Sequence, residues 1–511
     1  MIASYSTDKP FAVYCHGCWF SDAWDPLTYG RDYDFSKPFF EQYKALLRDV
    51  PRMHLYNRNS TNSQYANGVV NSKNVYLSYS ILFSEDISYS KSVDKSFRIL
   101  DSINLQNSEL CYENIDGENN HSSEYLVQSH ANIACKYLYD SNGCTNCFMS
   151  SSIRNGEYVF RNQKCSKAEY EQKMSEIDFG SYHVRQELLK EFKDLCSRAI
   201  HKFSHITQAV DSSGNCLENS KHANYVFDGY DLENVKYAYR VFGMKDSMDV
   251  CYSGIKCELV YEYITGGTEN YNIKFVNSGI QALQHVQYSD SCGSSSFLFG
   301  CAGLRSKQYC ILNKQYSRDE YLAKIQSIKS QMTKDGEYGE FFPPELSPYA
   351  YNETVANEYF PLTKQEVYER GWAWKDPEER TYTVTKRARD LSDHIKDVSE
   401  EILKEVIGCE HEGTCNHACT MAFRIVPQEL QFYKAMHLPL PRLCPNCRHF
   451  ARLQWYPPFN LYDRSCMREG CANTFKTPYP PERADSSSVR AGAPDRPEII
   501  YCESCYQHAI L

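Results

Sequence analysis

The chain has 511 residues, of which 55 are Lys or Arg and 65 are Asp or Glu, giving a net charge of −10. This balance argues against attraction of the whole chain to nucleic acid or anionic lipid. The hydrophobic content of 42% indicates a globular protein, and no apolar run is long enough to span a bilayer, so no membrane association is expected. The 23 cysteines are an odd number in a long chain without a signal-peptide pattern. This favours a reduced, cytoplasmic, zinc-binding protein over a disulfide scaffold.

Residues 1–52 are predicted to hold part of a zinc module and a helix. The segment around Cys15 and Cys18 matches the segment around Cys502 and Cys505 nearly position for position. The pair therefore looks like the trailing half of a module whose leading pair would lie before the start of the chain, and it is a further candidate pair of metal ligands. Ser36 is predicted to cap a helix that runs to about residue 47.

Two repetitive runs, residues 53–206 and 207–333, fill the middle of the chain. Small polar residues precede an apolar or aromatic position, often Tyr, at intervals of about 12 residues. Tyr158 recurs 151 residues later as Tyr309, and the second run is therefore a copy of the first. Short strands at a small period bury a face only by stacking, so we predict a mainly β fold of duplicated β-solenoids with two units per coil. Each copy is expected to end in a charged helix, at about 166–200 and 317–332.

The cysteines of these runs are interpreted as small inward-facing hydrophobic residues rather than metal ligands. They are Cys111, Cys135, Cys144, Cys147, Cys251, Cys257, Cys292, Cys301 and Cys310. Residues 334–408 are predicted to form a Tyr- and Pro-rich connector followed by a helix at about 388–407.

Residues 409–511 have the cysteine spacing of two tandem zinc modules. Two close pairs separated by a few tens of residues suit a tetrahedral four-cysteine site, so two structural zinc ions are expected. The predicted ligands are Cys415, Cys419, Cys444 and Cys447 for one ion and Cys466, Cys471, Cys502 and Cys505 for the other. Cys409, His411 and His417 are alternative ligands, and buried free thiols are the competing interpretation. Phe423 and Phe475, each four residues after a leading pair, are expected to pack beneath the sites.

Several longer stretches resemble known sequences. They include 423–425, 428–433, 439–442 and 444–448 near the zinc candidates, and 24–27, 39–42, 341–344 and 351–354 elsewhere. The stretch from Cys415 to Arg448 is similar to the zinc-ribbon (treble-clef-like) domain family. The whole chain resembles a family of large uncharacterised zinc-ribbon proteins of ultra-small uncultivated bacteria, relative to which it has an insertion around 484–492. The resemblance implies this architecture and no activity.

The pattern favours a non-enzymatic zinc-binding scaffold that acts as a protein-interaction platform. The alternative is binding of RNA or a ribonucleoprotein through a basic, aromatic stretch in the zinc region. Its candidate residues are Arg448, Arg452, Trp455, Tyr456 and Arg464. A carbohydrate-binding solenoid is a third hypothesis, based on fold analogy alone.

Overall fold

The computed structural model describes residues 2–376, 382–481 and 498–510. The described chain is mainly β, with two large sheets that we call the first stack and the second stack. The first stack has 14 strands, Asn57–Arg58, Tyr65–Val70, Lys73–Leu82, Glu85–Ser88, Lys91–Asp94, Phe97–Leu100, Ile103–Gln106, Glu109–Tyr112, Ile115–Glu118, His121–Val127, Lys136–Tyr139, Thr145–Ser151, Glu157–Phe160 and Gln163–Lys164. The second has 11 strands, Ile206–Val210, Ser213–Lys221, Asn224–Tyr230, Glu233–Phe242, Met244–Ser253, Cys257–Gly266, Tyr271–Gly279, Gln284–Asp290, Ser296–Phe299, Gln308–Ile311 and Lys314–Gln315.

Strands of the first stack pair in parallel with a displacement of one repeat unit. Lys73 lies opposite Glu85, Glu85 opposite Phe97, and Phe97 opposite Glu109, each 12 residues further along the chain. In the second stack the displacement varies from 11 residues, as between Ile206–Val210 and the next strand, to 13. One unit therefore advances the chain by one strand position, and the expectation of two units per coil is wrong.

A left-handed backbone conformation at every third residue bends each coil. Tyr89, Ser92, Lys95 and Arg98 have φ angles of 52, 61, 46 and 53°. Because three residues separate successive bends, a 12-residue coil of the first stack bends four times. Non-glycine residues rarely adopt this conformation, so the stacking itself must hold them in it.

The residue that follows each bend lies inside the coil. These interior positions of the first stack alternate between apolar and small polar side chains, in the order Val75, Ser78, Ile81, Ser84, Ile87, Ser90, Val93 and Ser96. Ser84 Oγ donates to the Leu82 carbonyl at 2.7 Å and accepts the Ser96 N–H at 3.0 Å. The Cys144 N–H donates to Asn132 Oδ1 in the same way. Interior serines and asparagines thus join successive coils by satisfying buried backbone groups.

The prediction that the cysteines of the two runs face inward is confirmed for eight of the nine, which are buried, whereas Cys251 is half-buried. The two stacks also end alike. In each, the last parallel strand turns back into a two-residue antiparallel strand, and a capping box at Ser166 or Ser317 begins the next helix. The first of these helices, Lys167–Ser175, is followed by a second, Tyr182–Arg198, whereas the other copy has the single helix Arg318–Lys334.

Short elements complete the described chain. The remaining α-helices are His16–Phe20, Phe39–Asp49, Ala356–Tyr359, Lys364–Glu369, Pro427–Ala435, Pro445–Leu453 and Glu503–Ile510. The remaining strands are Val13–Tyr14, Arg52–Met53, Ile200–Lys202, Ile407–Gly408, Ala422–Phe423, Tyr462–Ser465, Thr474–Thr477 and Ile499–Tyr501. The 3-10 helices are Pro26–Tyr29, Pro344–Leu346, Tyr351–Glu353, Ala388–Asp390, Ile395–Asp397 and Glu400–Lys404. No helix in the described ranges has both the length and the apolar character needed to cross a bilayer.

Two predicted helices differ from the structure. The first, Phe39–Asp49, begins after Pro38, and Ser36 does not cap it. The second, at 388–407, is instead three separate 3-10 turns. Arg442 accounts for part of this difference, because its guanidinium donates to the Leu391 carbonyl at 3.0 Å and also to the Ala388 carbonyl. These carbonyls would otherwise accept helical hydrogen bonds. The insertion expected around 484–492 lies outside the described residues.

The two stacks contact each other through a buried cluster around Lys91 of the first stack. Lys91 Nζ lies 2.7 Å from a Glu358 carboxylate oxygen and 2.8 Å from the Tyr359 hydroxyl. The Tyr359 hydroxyl lies 2.9 Å from that of Tyr239 in the second stack. The connector thus joins the two stacks, and Lys91, which is 1% exposed, has the partners that a buried charge needs.

Candidate metal centres

Four cysteines converge in the first C-terminal module. This first cysteine cluster consists of Cys409, Cys419, Cys444 and Cys447, whose sulfurs all lie within 4.8 Å of one another. Cys409 follows the strand Ile407–Gly408, and Cys419 precedes its antiparallel partner Ala422–Phe423. Cys444 is the N-cap residue of helix Pro445–Leu453, and Cys447 lies in its first turn. A hairpin and a helix N-terminus thus supply two sulfurs each, the ligand number of a structural zinc site.

Cys409 occupies the position that the sequence assigned to Cys415. Cys409 was one of the alternative ligands, because the spacing of Cys415 and Cys419 looked like a closer pair. Cys415 instead belongs to an adjacent group with His411, His417 and Cys447. Its sulfur lies 3.6 Å from that of Cys447.

Hydrogen bonds prepare the first cysteine cluster for thiolate chemistry. The backbone N–H groups of Cys444 and Thr420 donate to the sulfurs of Cys409 and Cys444 at 3.3 and 3.4 Å. Hydrogen bonds from Cys409 and then Cys447 hold the pKa of Cys444 far below its usual value. The same bonds raise the pKa of Cys447, because its proton is shared with its neighbours. Only a bound cation would allow all four sulfurs to be thiolates together.

The second cysteine cluster consists of Cys466, Cys471, Cys502 and Cys505, the four residues that the sequence predicted. Cys466 follows the strand Tyr462–Ser465, and Cys471 precedes its antiparallel partner Thr474–Thr477. Cys502 directly precedes helix Glu503–Ile510, which contains Cys505. The construction from a hairpin and a helix N-terminus repeats that of the first module.

The second cysteine cluster also contains a stabilised thiolate. Burial opposes ionisation of Cys502, but hydrogen bonds with Ser504 and then Asn473 lower its pKa to about 6. Asn473 Nδ2 lies 3.3 Å from its sulfur. Phe423 packs in the core that contains Cys444 and Cys447, and Phe475 packs against the second cluster, as the sequence predicted.

The helix that carries Cys444 and Cys447 is fixed to the first stack by two buried arginines. Arg452 lies 2.8 Å from one Asp101 oxygen and 3.0 Å from Glu113, and Arg448 lies 3.2 Å from the other Asp101 oxygen. Arg448 also pairs with Glu429 of the neighbouring helix at 3.3 Å. Asp101 is fully buried, so this network fixes the metal-binding helix against the strands.

The second module is attached to the first stack in a different way. Strand Ile499–Tyr501 pairs in parallel with Ile200–Lys202. Tyr506, from the helix that carries Cys505, donates its hydroxyl to Asp140 of the first stack and accepts from Arg154 at 2.9 Å. Both cysteine clusters are therefore tied directly to the same strand stack.

The five residues expected to form a nucleic-acid surface do not share one. Arg448, Arg452 and Tyr456 are 5, 1 and 6% exposed, so the expectation that they lie on a surface is wrong. Trp455 packs on Phe192 at 5.3 Å between ring centres. Arg464 is half-buried and donates to the Pro480 and Glu498 carbonyls at 3.1 and 3.2 Å. The positive charge of this stretch neutralises acids that the sequence did not pair with it, Asp101, Glu113 and Glu429.

Tyr456 lies between acids of the two stacks. Its hydroxyl is 3.2 Å from Asp116 of the first stack and 3.3 Å from Asp228 of the second. Burial and then the charge of Asp116 raise the pKa of Asp228 to about 7. Neither acid was singled out from the sequence, because only folding brings residues 112 positions apart together.

Cys15 and Cys18 are not joined by further metal ligands among the described residues. Cys18 is exposed, and its N–H donates to Cys15 Sγ at 3.3 Å. This hydrogen bond lowers the pKa of Cys15.

Comparison with known proteins identifies no family. No family model matches the chain. No curated protein matches it either. Among solved structures, one crystal structure described as that of an acetyltransferase from Desulfovibrio desulfuricans is 9% identical, covering 55% of this chain and 82% of that one, with a TM-score of 0.11. This likeness is too low to support any argument.

Proposed function

We propose that the chain is a non-enzymatic, zinc-binding scaffold that acts as a protein-interaction platform in the cytoplasm. The observation that carries this proposal is the closure of both cysteine clusters by four protein sulfurs each. A tetrahedral ion with four protein ligands has no free position for water or substrate, so its role is structural. In the same reading, the modules are zinc-ribbon or treble-clef units and the two stacks are β-solenoids.

The attachment of the modules supports a structural role for the metal. Zinc binding contributes directly to folding in small modules that have no core of their own. Here the ligand-bearing helix also supplies Arg448 and Arg452, which neutralise buried Asp101. An ion bound at its first turn would therefore stabilise the contact between module and stack.

A groove on the second stack is the surface that we assign to partner binding. It has a volume of about 360 Å³ and is lined by apolar Met248 and Leu259 beside Lys236, Asp246 and Lys274. Met248 and Leu259 are 37 and 40% exposed. Exposed apolar side chains rimmed by charges are typical of protein-binding sites.

Affinity capture from native lysate tests the platform. The wild-type chain is compared with Met248→Glu/Leu259→Glu, which places two charges in the groove, each capture being run with and without nuclease. Leu322→Glu is the matched control, because Leu322 is 45% exposed on the helix Arg318–Lys334, away from the groove. We expect a partner that survives nuclease, is lost with the groove variant and is retained by the control. A partner lost on nuclease treatment, or retained by the groove variant, would contradict the proposal.

A further inference from the structure

A second group of potential metal ligands adjoins the first cysteine cluster. Its members are His411, Cys415, His417 and Cys447, and one ligand atom from each lies within 4.8 Å of all the others. Cys447 belongs to both groups. Two tetrahedra that share one sulfur would use all seven ligands of the module.

The sulfur separations fit this arrangement. A zinc–sulfur bond of about 2.3 Å places two sulfurs of one tetrahedral ion about 3.7 Å apart. Cys447 Sγ lies 3.9 Å from Cys409 on one side and 3.6 Å from Cys415 on the other. One sulfur is thus at ligand-to-ligand distance from both sets.

The two histidines have the properties of nitrogen ligands. Nδ1 of His411 and Nδ1 of His417 are buried, and neither has a hydrogen-bond partner within the described residues. Burying such a polar atom without a partner is costly. The ring of His417 is also held in place, because it stacks on Phe450 at 5.2 Å and 5°. Phe450 lies on the same helix as Cys447, so the helix orients both a histidine and a shared sulfur.

Charge favours two ions over one. Cys409, Cys415, Cys419, Cys444 and Cys447 crowd five sulfurs into one module. One divalent ion would leave most of their negative charge uncompensated if all were thiolates, whereas two ions leave a single excess negative charge. Neutral imidazoles add none, and mixed sulfur and nitrogen ligands suit zinc.

We propose that the first module holds two metal ions, with Cys447 bridging them and with His411, Cys415 and His417 completing the second site. This rests on the proposed function, because the first ion is that of the structural cysteine cluster. The full chain should therefore bind three divalent ions, two in the first module and one in the second.

Elemental analysis and cobalt substitution of the full-length chain test this. We expect three zinc ions per chain in the wild type and two in His411→Ala/His417→Ala, which leaves both cysteine clusters intact. In the Co²⁺-loaded wild type, the paramagnetic signal per ion should be weaker than in the variant, because a bridging sulfur couples two Co²⁺ spins. His183→Ala is the control, since His183 has an 85% exposed side chain and lies outside both groups.

Each other result is decisive. Two ions in both wild type and variant, with equal signal per ion, would overturn the bridged pair and leave the proposed function standing. One ion or none in the wild type would overturn both. Three ions with no spin coupling would overturn the shared Cys447.

Discussion

At the scale of single residues, the decisive feature is the pairing of buried charges across elements far apart in sequence. Asp101 accepts from both Arg448 and Arg452, which are four residues apart on one helix turn. Removing one partner of such a network leaves an uncompensated buried charge, which costs more than the pair itself stabilises.

Arg452→Met should therefore lower the free energy of unfolding by about 3–5 kcal/mol. The loss arises because Asp101 and Glu113 are left without their partner at 2.8 and 3.0 Å. Urea unfolding followed by circular dichroism measures the change. Arg424→Met is the matched control, because Arg424 is exposed. A loss no larger than that of the control would show that the network adds nothing to stability.

Asp228 should make stability depend on pH. Burial and then Asp116 raise its pKa to about 7 from 3.8, so the folded chain holds this proton more tightly than the unfolded chain. The group costs nothing below its unfolded pKa, and its destabilising effect grows as pH rises from about 4 to 7. Asp228→Asn removes this cost, so the variant should gain stability relative to the wild type between pH 5 and pH 8. Melting temperatures at both pH values check this, and an unchanged difference between the two proteins would exclude the role of Asp228.

At the scale of elements, the coil is held together by repeated polar and apolar interior positions. Ser84 and Ser96 each satisfy a backbone N–H twelve residues ahead, and Asn132 performs the same role later in the stack. Backbone groups within a narrow coil have no access to water, so each such side chain replaces a solvent hydrogen bond.

Ser96→Ala should destabilise the first stack by about 1–3 kcal/mol, because it leaves the Ser108 N–H without its side-chain acceptor at 3.1 Å. Ser96→Cys should cost less, since Cys135 accepts the Cys147 N–H at 3.4 Å in the same kind of position. Ser330→Ala, on an exposed helix surface, is the control. Urea midpoints of the four proteins rank the effects, and an equal loss in the alanine and cysteine variants would refute the role of the hydrogen bond.

The sequence predicted the repeats, the inward cysteines and the second cysteine cluster because each is a local pattern. It did not predict the bend at every third residue, since Lys95 and Arg98 do not prefer the left-handed region that they occupy. It also favoured Cys415 over Cys409, because spacing along the chain cannot show which sulfur the hairpin Ile407–Gly408 with Ala422–Phe423 directs inward. Burial of Arg448 and Arg452 depends on Asp101, more than 340 residues earlier.

At the scale of the whole molecule, the C-terminal modules and the connector join structures that are separate in sequence. The first module covers Tyr89, Leu100 and Tyr112 of the first stack with a common apolar core. Tyr456 reaches both stacks through Asp116 and Asp228. A change at the metal clusters is thus transmitted to the strands that the modules cover.

Removal of metal should expose the covered side of the first stack. The hairpin and helix of the first module meet at the cysteine cluster, so loss of an ion frees the turn that carries Cys444 and Cys447. Arg448 and Arg452 follow on that helix, and their contacts with Asp101 should loosen with it. Hydrogen exchange in the presence of a strong chelator should therefore speed up across 409–453 and at strand Phe97–Leu100. Strand Gln284–Asp290, in the middle of the second stack, serves as the internal reference and should keep its protection. Equal protection of 409–453 with and without metal would show that the cysteine clusters do not hold the module on the stack.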